Sequence, residues 1–399
     1  MSLLMSALLL LGVGGPVASG TFLDTSDFYA PFADAGSGAV NLTLTRGSGS
    51  ATFTRATAAA TRLSDGTWKL DVASGTARSY YMADATYAGY LAERATTNRC
   101  LWNRDFTDAA WVHVNVTAAK DATGIDGSAN ACSTLTSGAI GGTSLQTITS
   151  ANANRVLSAF VKRKTGTGTV NITLDGGVSS TDISGLINST TFTRVSRTQT
   201  VANPVIGFSF GASGDEIIVD CMQEQTDIAA GGGEYTAPIV TTSAAVTKNV
   251  DVLSYTSANV NDDAGTCYVE AHELVGTITT GATKYADGGD AAAGLFLGRQ
   301  TTNAMTTNYM DDGPNIVQKT GLTNLTTGVR KRASRWGSST MSVTGDGATV
   351  ATGTFDNAMT ATSLRVSDTT NSNNHSSAVK ELHIWLTDEG DANIESATA

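Results

Sequence analysis

The sequence predicts an all-β protein: two consecutive antiparallel β-sandwiches, preceded by a short β-rich leader and an apolar N-terminal attachment segment. Apolar residues alternate with polar ones in short runs, which is the period of half-buried strands. Glycine and aspartate turns separate these runs, and the 399 residues include 42 glycines. No stretch has a helical period. The length fits about two to three domains, and we place their boundaries at 1–20, 21–95, 96–248 and 249–399.

The composition narrows the possible partners. Charged residues make up 15% of the chain and hydrophobic ones 41%, with a formal net charge of −11. Basic residues are concentrated only in two triplets, at 162–164 and 330–332. Because phosphate binding needs a concentrated basic face, we expect no nucleic-acid partner. The uncharged polar composition is typical of a secreted or virion protein.

The first unit, residues 1–20, is predicted to be an attachment segment. Its leucine run has no Lys or Arg before it, as a secretory signal would have, and it is far shorter than the roughly 20 residues that cross a bilayer. We therefore expect no membrane span and an uncleaved segment buried against a partner, with a signal peptide as the alternative. The anchoring side chains are predicted to be Leu3, Leu4, Leu8, Leu9, Leu10 and Leu11.

The leader, residues 21–95, contains alternating runs at 39–45 and 51–55, and an Asp-Gly turn before the run at 67–72. Asp-Gly between such runs predicts a hairpin-like connection. The leader has too few strands for a sandwich of its own. We expect it to pack on the next block or on a neighbouring subunit.

The first sandwich is predicted from five evenly spaced strands with turn residues between them, which favours a sandwich or jelly roll. These strands are 157–162, 170–174, 191–196, 205–210 and 216–220. The second block contains a clear strand at 267–274. A short C-terminal turn of helix is expected to follow the last strand, with Thr387 as its N-cap and Ile394 as its apolar contact.

The last strand, 381–386, alternates cleanly between apolar and other residues. Its period places Leu382, Ile384 and Leu386 inward. His383 and Trp385 share the opposite face, where we expect surface aromatics.

The four cysteines have no zinc-ligand spacing and do not form a dense disulfide framework. We expect them to be mostly free and buried, and a bridge between Cys132 and Cys221 stays open. The full set is Cys100, Cys132, Cys221 and Cys267.

No catalytic residue and no metal site are predicted. The sequence lacks nucleotide-binding glycine motifs, and its four histidines lack metal-ligand spacing. The sharpest enzymatic candidate is the strand containing Glu270, His272 and Glu273. Glycoside hydrolysis needs two carboxyls on one face, about 5–9 Å apart. The pleat puts Glu270 and His272 on one face and Glu273 on the other, so we expect ordinary strand surface and no enzyme.

Sugar binding by a sandwich needs exposed aromatic rings with polar partners. Trp111, Trp385 and Tyr309 are the candidates. We expect each of them to be packing or isolated surface, so no carbohydrate-binding residue is assigned.

A succession of short motifs runs through the leader and the segment after it. They are Phe-Thr-Arg-Ala-Thr at 53–57, Gly-Tyr-Leu at 89–91 with Glu93, Thr-Asn at 97–98, and Trp-Asn-Arg-Asp-Phe at 102–106 with Trp111. This succession resembles the leader of tailed-bacteriophage fibre and spike proteins, which typically read F-T-R-A-S/T, G-x-L-x-E and T-N-L-L-x-x-S-R-D-F. Asn103 stands where that family usually has Ser, and Arg-Cys at 99–100 replaces an apolar pair.

The likeness continues over roughly residues 50–399. The segments 160–163 and 236–242, with Lys248 and Asp251, are similar to the jelly-roll module that follows in that family. The last block resembles a concanavalin-like or laminin-G-like lectin domain at 268–270, 333–337 and 382–384. Because such lectin domains often bind calcium through loop carboxylates, calcium stays open as a ligand. The candidate doublets are Asp215-Glu216, Asp262-Asp263 and Asp311-Asp312.

The resemblance implies a non-enzymatic structural protein of a virion. It would be a head or tail fibre or spike, anchored by its N-terminus to capsid or tail proteins and presenting lectin-like sandwiches to host-surface glycans. A homo-oligomer is expected, with a trimer favoured. The alternatives are a capsid decoration protein without a receptor role, a polysaccharide depolymerase and a secreted carbohydrate-binding adhesin.

The segment 89–111 joins the leader to the first sandwich and carries most of this resemblance. Its large apolar side chains are expected to fix the leader against the first sandwich. They are Tyr90, Leu91, Trp102, Phe106 and Trp111.

Overall fold

A computed structural model describes residues 20–227, 236–274, 282–288, 295–302, 305–311, 315–320, 328–356, 359–367 and 376–399. Over these residues the protein is all-β and its sheets are antiparallel, which confirms the predicted fold class. The attachment leucines at 3–11 lie outside the described residues. Among the described elements, no helix is both long and apolar enough to span a membrane.

The leader begins with a short helix, α1 (Gly20–Leu23), and continues as eight short strands. These are β1 (Phe28–Ala30), β2 (Asp34–Gly36), β3 (Ala39–Val40), β4 (Thr52–Thr54), β5 (Ala59–Arg62), β6 (Trp68–Val72), β7 (Arg78–Tyr81) and β8 (Tyr87–Ala92). β5 and β6 form the hairpin expected around the Asp-Gly turn. 

Strand β9 (Thr96–Asn98) leads into the first sandwich, whose ten strands form two five-stranded sheets. They are β10 (Val112–Val114), β11 (Val116–Ala122), β12 (Cys132–Ser137), β13 (Thr143–Thr147), β14 (Ala153–Thr165), β15 (Val170–Thr173), β16 (Thr181–Asp182), β17 (Thr193–Val201), β18 (Val205–Phe210) and β19 (Glu216–Thr226). One sheet has the order β10-β13-β18-β15-β16, and the other has β11-β12-β19-β14-β17.

The core of the first sandwich follows from the period of its strands. Ile206, Phe208 and Phe210 alternate along β18 and are buried, because they face the other sheet. Leu157 and Val161 meet them from β14. Both sheets close within residues 112–226, so this sandwich has a core of its own.

The rest of the chain supplies strand β20, the other strands of the second sandwich and a C-terminal helix. These elements are β20 (Val246–Lys248), β21 (Val252–Thr256), a 3₁₀ turn (Ser257–Asn259), β22 (Gly265–Glu273), β23 (Ala282–Asp287), β24 (Leu295–Thr302), β25 (Met305–Asp311), β26 (Ile316–Lys319), β27 (Gly328–Gly337), β28 (Thr340–Gly345), β29 (Ala351–Thr354), β30 (Ser363–Val366), β31 (Ser377–Trp385) and α2 (Asp391–Thr398). β20 lies outside the sandwich and pairs with β9.

The leader supplies strands to both sheets of the second sandwich. Its ten-stranded sheet runs β2-β3-β7-β8-β31-β22-β27-β28-β29, with β1 also paired to β31. Its seven-stranded sheet runs β26-β25-β24-β23-β30-β21-β4. Tyr90 lies opposite Val379, and Phe53 lies opposite Leu253. The leader was expected on the next block or on a neighbouring subunit, but most of its strands join the last block instead.

The hairpin β5–β6 is the part of the leader that contacts the first sandwich. The Trp68 ring meets Phe160 edge to face, with centroids 5.6 Å apart. The Trp68 backbone N–H donates to the Ile125 carbonyl at 3.0 Å. One leader therefore packs on both sandwiches of the same chain. The boundaries drawn at residues 20, 95 and 248 stay predictions.

The outer face of β31 differs from the expectation. Leu382 and Ile384 point into the core, as predicted, and Leu386 is half-buried. His383 and Trp385 do lie on the opposite face, but they are not surface aromatics, since Trp385 is only 2% exposed. Helix α1 and the chain after it cross this face: Phe22 stacks on Trp385 with ring centroids 4.3 Å apart.

The C-terminal helix also begins later than predicted. It spans Asp391–Thr398 with Gly390 at the N-cap, and the Thr387 hydroxyl bonds to Glu389 instead of capping the helix. Ile394 is fully buried, as expected for its apolar contact. The prediction for the cysteines is confirmed, because all four are buried and free, so Cys132 and Cys221 are not bridged.

Candidate functional site

Motif residues of the leader and of the segment 248–251 meet with Arg78 in a buried group of charges, which we call the charge cluster. It consists of Arg55, Arg78, Glu93, Lys248 and Asp251, all at most 4% exposed in their side chains. Asp251 accepts from Arg55 at 2.8 Å and from Arg78 at 2.5 Å. Glu93 lies 3.0 Å from Arg78, and Lys248 lies 3.4 Å from Asp251.

The electrostatics of the cluster favour its charged form at Asp251. Burial by itself would raise the pKa of Asp251, but the neighbouring Arg78, Lys248 and Arg55 lower it to about 2. Burial lowers the pKa of Lys248, and Asp251 and Glu93 oppose that shift. The cluster connects the leader to the start of the second sandwich through ion pairs that water does not reach.

A second group of motif residues connects the segment 98–104 to strand β19. The amides of Asn98 and Asn103 both donate to the Met222 carbonyl, at 3.1 and 3.0 Å. Arg104 reaches Asp220 at 2.7 Å and Asp126 at 2.8 Å. Burial opposes the charge on Arg104, but these two carboxylates raise its pKa. The motifs that carry the family resemblance are thus structural connections.

The apolar residues of the junction 89–111 divide between two cores. Tyr90 belongs to the core of the second sandwich, whereas Phe106 and Trp111 belong to that of the first. Phe106 stacks on Trp111 with ring centroids 4.0 Å apart. Trp102 is only half-buried and has a left-handed backbone, with φ of 48°. The junction therefore connects two cores and does not press the leader onto one.

An open cavity lies where the leader meets the first sandwich, and we call it the aromatic cleft. Its volume is about 710 Å³. The leader contributes Trp68 and Tyr80, and the first sandwich contributes Phe160 and Phe192. Its other lining residues are Arg62, Ser64, Asp65, Gly66, Thr67, Met82, Ala83, Ala85, Gly124, Ile125, Gly127, Thr190, Thr191 and Arg194.

The rings of the cleft are held by one another and by cations. Trp68 and Phe160 are buried in the floor, while Tyr80 and Phe192 are half-buried. The Arg194 guanidinium lies over Phe160, 5.2 Å from the ring centroid. The Lys162 ammonium lies over the Phe192 ring at 5.1 Å. The site is therefore built from rings of fixed orientation with polar groups around them.

A smaller cavity of about 180 Å³ adjoins the cleft. It shares Trp68, Tyr80 and Arg194 with the cleft and extends to Glu93. Glu93 accepts a hydrogen bond from the Ala237 N–H at 2.6 Å and pairs with Arg78. The smaller cavity is therefore lined both by residues of the cleft and by one residue of the charge cluster.

On β22, two of the residues of the enzymatic candidate have described side chains, Glu270 and His272. Glu270 binds Lys380 at 2.6 Å. His272 is buried, and neither of its ring nitrogens has a hydrogen-bond partner among the described residues. Burial lowers the pKa of His272. Glu273 lies on β22, but its side chain is outside the described residues.

Residues of two of the acidic doublets have other contacts. Asp262 accepts from the Ala361 N–H at 3.1 Å, Asp215 pairs with Arg163, and Glu216 accepts from Thr136. The doublet at 311–312 lies partly outside the described residues. In the described part of the chain, no three His, Cys, Asp or Glu side chains group as metal ligands. The expectation of no cofactor, with calcium left open, stays a prediction.

Of the three sugar-stacking candidates from the sequence, neither Trp111 nor Trp385 lines the cleft. Trp111 and Trp385 are buried in packing, as we expected, and the side chain of Tyr309 is outside the described residues. Sequence reasoning missed Trp68, Tyr80 and Phe192. The available signal was local: Trp68 follows an Asp-Gly turn, and Phe192 follows two threonines in a loop.

Comparison with known proteins adds little. No family model matches the chain, and no curated protein matches it. Among solved structures, the chain is similar to the N-terminal CBM22-1-CBM22-2 tandem domain of Xyn10C from Paenibacillus barcinonensis. The identity is 8% and the TM-score 0.25, over 73% of this chain and 98% of that one. A likeness with so low a TM-score says nothing about function. The functional proposal therefore rests on the cleft and on the motifs.

Proposed function

We propose that the protein is a non-enzymatic glycan-binding structural protein, a fibre or spike of a phage particle that contacts host-surface glycans. The observation that carries the glycan-binding part is the aromatic cleft. The fibre or spike role rests on the leader motifs and their resemblance.

The cleft has the composition and size of a sugar site. Sugar rings present C–H faces that pack on aromatic rings, and Tyr80 and Phe192 are the half-buried rings available to them. The serine and threonine side chains and the backbone groups that line the cleft supply hydrogen-bonding partners for the hydroxyls of a sugar. The volume of about 710 Å³ lies within the usual range of about 300–1,000 Å³ for ligand sites.

Binding without hydrolysis is favoured by the charges of the cleft. Asp65 is the carboxylate among its described lining residues, and it accepts from the Thr67 N–H and hydroxyl at 2.9 and 2.6 Å. These bonds lower its pKa, so it is not suited to act as a general acid. Hydrolysis of a glycoside needs a second carboxyl opposite the first. The depolymerase alternative is therefore disfavoured.

The proposed virion role is supported by the way in which the motif residues connect the parts of the chain. Arg55, Glu93 and Asp251 connect the leader to the second sandwich, and Arg104 connects the segment 98–104 to the first. A particle protein anchored by its leucine-rich N-terminus needs such rigid connections between anchor and tip. Capsid or tail proteins are the proposed partners, and a trimer is the proposed assembly. A decoration protein and a secreted adhesin are the alternatives.

Glycan binding is tested on an array of bacterial surface polysaccharides, followed by calorimetric titration of the best binder. Tyr80→Ala and Phe192→Ala should each weaken binding about tenfold, which corresponds to about 1.4 kcal/mol. Tyr81→Ala is the matched control, because Tyr81 is the next residue of β7 and contacts Tyr87 and Asp34 instead of the cleft. Unchanged affinity in both cleft variants would reject the site.

The particle role needs a separate measurement. Antibody-labelled electron microscopy of purified particles should place the protein at a fibre or spike and reveal its symmetry. Label that is absent from particles and found in the culture medium would favour the secreted adhesin.

A further inference from the structure

The aromatic cleft has an excess of positive charge in a protein whose net charge is −11. Arg62 and Arg194 line the cleft, and Lys162 lies over its Phe192 ring. Among the described residues that line the cleft, Asp65 supplies the carboxylate. Asp65 is already bound within its own turn. The local charge is thus opposite to that of the whole chain, which indicates a ligand that carries negative charge.

Arg62 is positioned but not neutralised. It is the last residue of β5, and its Nη1 donates to the Met82 carbonyl at 2.5 Å across the rim of the cleft. The described residues form no ion pair with its guanidinium and no second hydrogen bond to it. The Met82 bond holds one nitrogen of the guanidinium, while its other N–H groups stay available. A planar guanidinium suits bidentate contact with a carboxylate.

Lys162 belongs to the basic triplet at 162–164, and its neighbours show a useful contrast. Arg163 lies 3.6 Å from Asp215, and Lys164 lies 3.7 Å from Asp121. Lys162 forms no ion pair with any described residue. It shares a face of β14 with Phe160, two residues earlier, which lines the cleft. The unneutralised member of the triplet is therefore the one beside the cleft.

We infer that the aromatic cleft selects acidic glycans, binding sugar rings on Tyr80 and Phe192 and a sugar carboxylate through Arg62, with Lys162 adding positive charge. This inference rests on the proposed glycan-binding function and names its ligand class. Uronate-type residues combine the two features that the cleft matches, an apolar ring face and a carboxylate.

The test compares two probes with the same sugar backbone, tetragalacturonate and its methyl ester, in which each carboxylate is neutralised by a methyl group. Both are titrated into the full-length protein. The acid should bind at least tenfold more tightly than the ester. Arg62→Gln should reduce the affinity for the acid about tenfold and leave that for the ester unchanged. Lys69→Gln is the charge control, since Lys69 is a nearby leader cation that does not line the cleft. Lys162→Met provides a second variant if Arg62→Gln is unfolded.

Each outcome decides a different claim. Equal binding of acid and ester, or Lys69→Gln weakening the acid as much as Arg62→Gln, would overturn acid selection and leave glycan binding intact. Failure of both probes and of the polysaccharide array would reject the proposed function itself. Tighter binding of the oligonucleotide dT₁₀ than of the acid would assign the cleft to single-stranded nucleic acid, because rings and cations also suit bases and phosphates.

Discussion

Asp251 is the residue on which the three cations of the charge cluster converge. Its carboxylate also accepts a hydrogen bond from the Glu93 N–H at 3.0 Å. It therefore joins the leader to the segment just before strand β21. A buried ion pair is weak evidence for net stability, but removal of one partner leaves uncompensated charge in a medium of low polarity. The consequence is a strong dependence on this one carboxylate.

Asp251→Asn should therefore lower the free energy of unfolding by about 3–5 kcal/mol, because Arg55, Arg78 and Lys248 lose their counter-charge. The measurement is urea denaturation at pH 7. Asp71→Asn on the exposed side of β6 is the control and should change stability by less than about 0.5 kcal/mol. A similar small change in both variants would mean that the cluster is solvated.

Two tryptophans of the junction should differ in their contribution to stability. Trp111 is 3% exposed and stacked on Phe106, so Trp111→Ala should lower the free energy of unfolding by about 3–5 kcal/mol. Trp102 is half-buried, and Trp102→Ala should have a clearly smaller effect. Thermal melting of the two variants side by side checks this. The reverse order of the two effects would contradict the packing described for this segment.

Among the elements, β8 depends on a glycine. Gly89 has φ of +105°, and a Cβ there would lie 2.0 Å from the Val379 carbonyl oxygen on the paired strand β31. Backbone cannot move aside as a flexible side chain can. The Gly-Tyr-Leu motif is thus needed for close pairing between the leader and the last strand of the chain.

Gly89→Ala should destabilise the protein much more than Gly75→Ala. Gly75 also has a positive φ, +71°, but a Cβ there would meet no atom within 4 Å. Gly75→Ala therefore reports the conformational strain alone, about 1–2 kcal/mol. Chemical denaturation measures both variants. Equal losses would show that the contact between β8 and β31 relaxes without penalty.

Strand β22 contains a histidine that should make stability depend on pH. Burial lowers the pKa of His272 below its usual value of about 6.5, so the folded state favours the neutral ring. Above pH 6.5 the ring is neutral in both the folded and the unfolded chain, so the protonation of His272 does not reduce the free energy of unfolding there. As the pH falls below 6.5, the unfolded chain takes up a proton more readily than the folded one, and stability decreases by up to about 1.4 kcal/mol per pH unit.

The His272→Leu variant tests this dependence. Denaturation midpoints measured at pH 7.5 and pH 5.0 should differ less in the variant than in the natural protein, because the carboxylates contribute equally to both. Identical differences would mean that His272 is solvated in the folded state.

For the whole molecule, the important feature is that the leader completes a sandwich that lies far away in sequence. Strands β1 and β8 of the leader both pair with β31, and β4 pairs with β21. The first sandwich, by contrast, forms both of its sheets from its own strands. The first sandwich, whose strands lie within residues 112–226, is therefore inserted between strands of one other sandwich.

A fragment of residues 249–399 should lack a cooperative thermal transition, because it exposes the edges and the core face that β4 and β8 cover. A fragment of residues 96–248 should unfold cooperatively, and a fusion of 21–95 to 249–399 should restore the transition of the second sandwich. Circular dichroism during heating measures all three. A cooperative transition in 249–399 alone would show that the leader strands are dispensable.

The sequence by itself determined the fold class, the approximate strands and the state of the cysteines. Period-two alternation is a local property, and Leu382 and Ile384 point inward because successive residues of a strand face opposite sides. The same rule predicted which face His383 and Trp385 share. It could not reveal that α1 covers that face, since the covering segment lies more than 350 residues away in the chain.

Only the tertiary structure decided which strands pair and where the cleft lies. The motif residues Arg55, Glu93 and Asp251 could be recognised in the sequence, but their convergence depends on strand pairings between the leader and the second sandwich. Tyr80 and Phe192 come from different units and become neighbours only when the leader hairpin packs on β14. Local sequence patterns indicate burial and turns. The cleft is instead formed by segments that are distant in the sequence, so no spacing of residues could predict it.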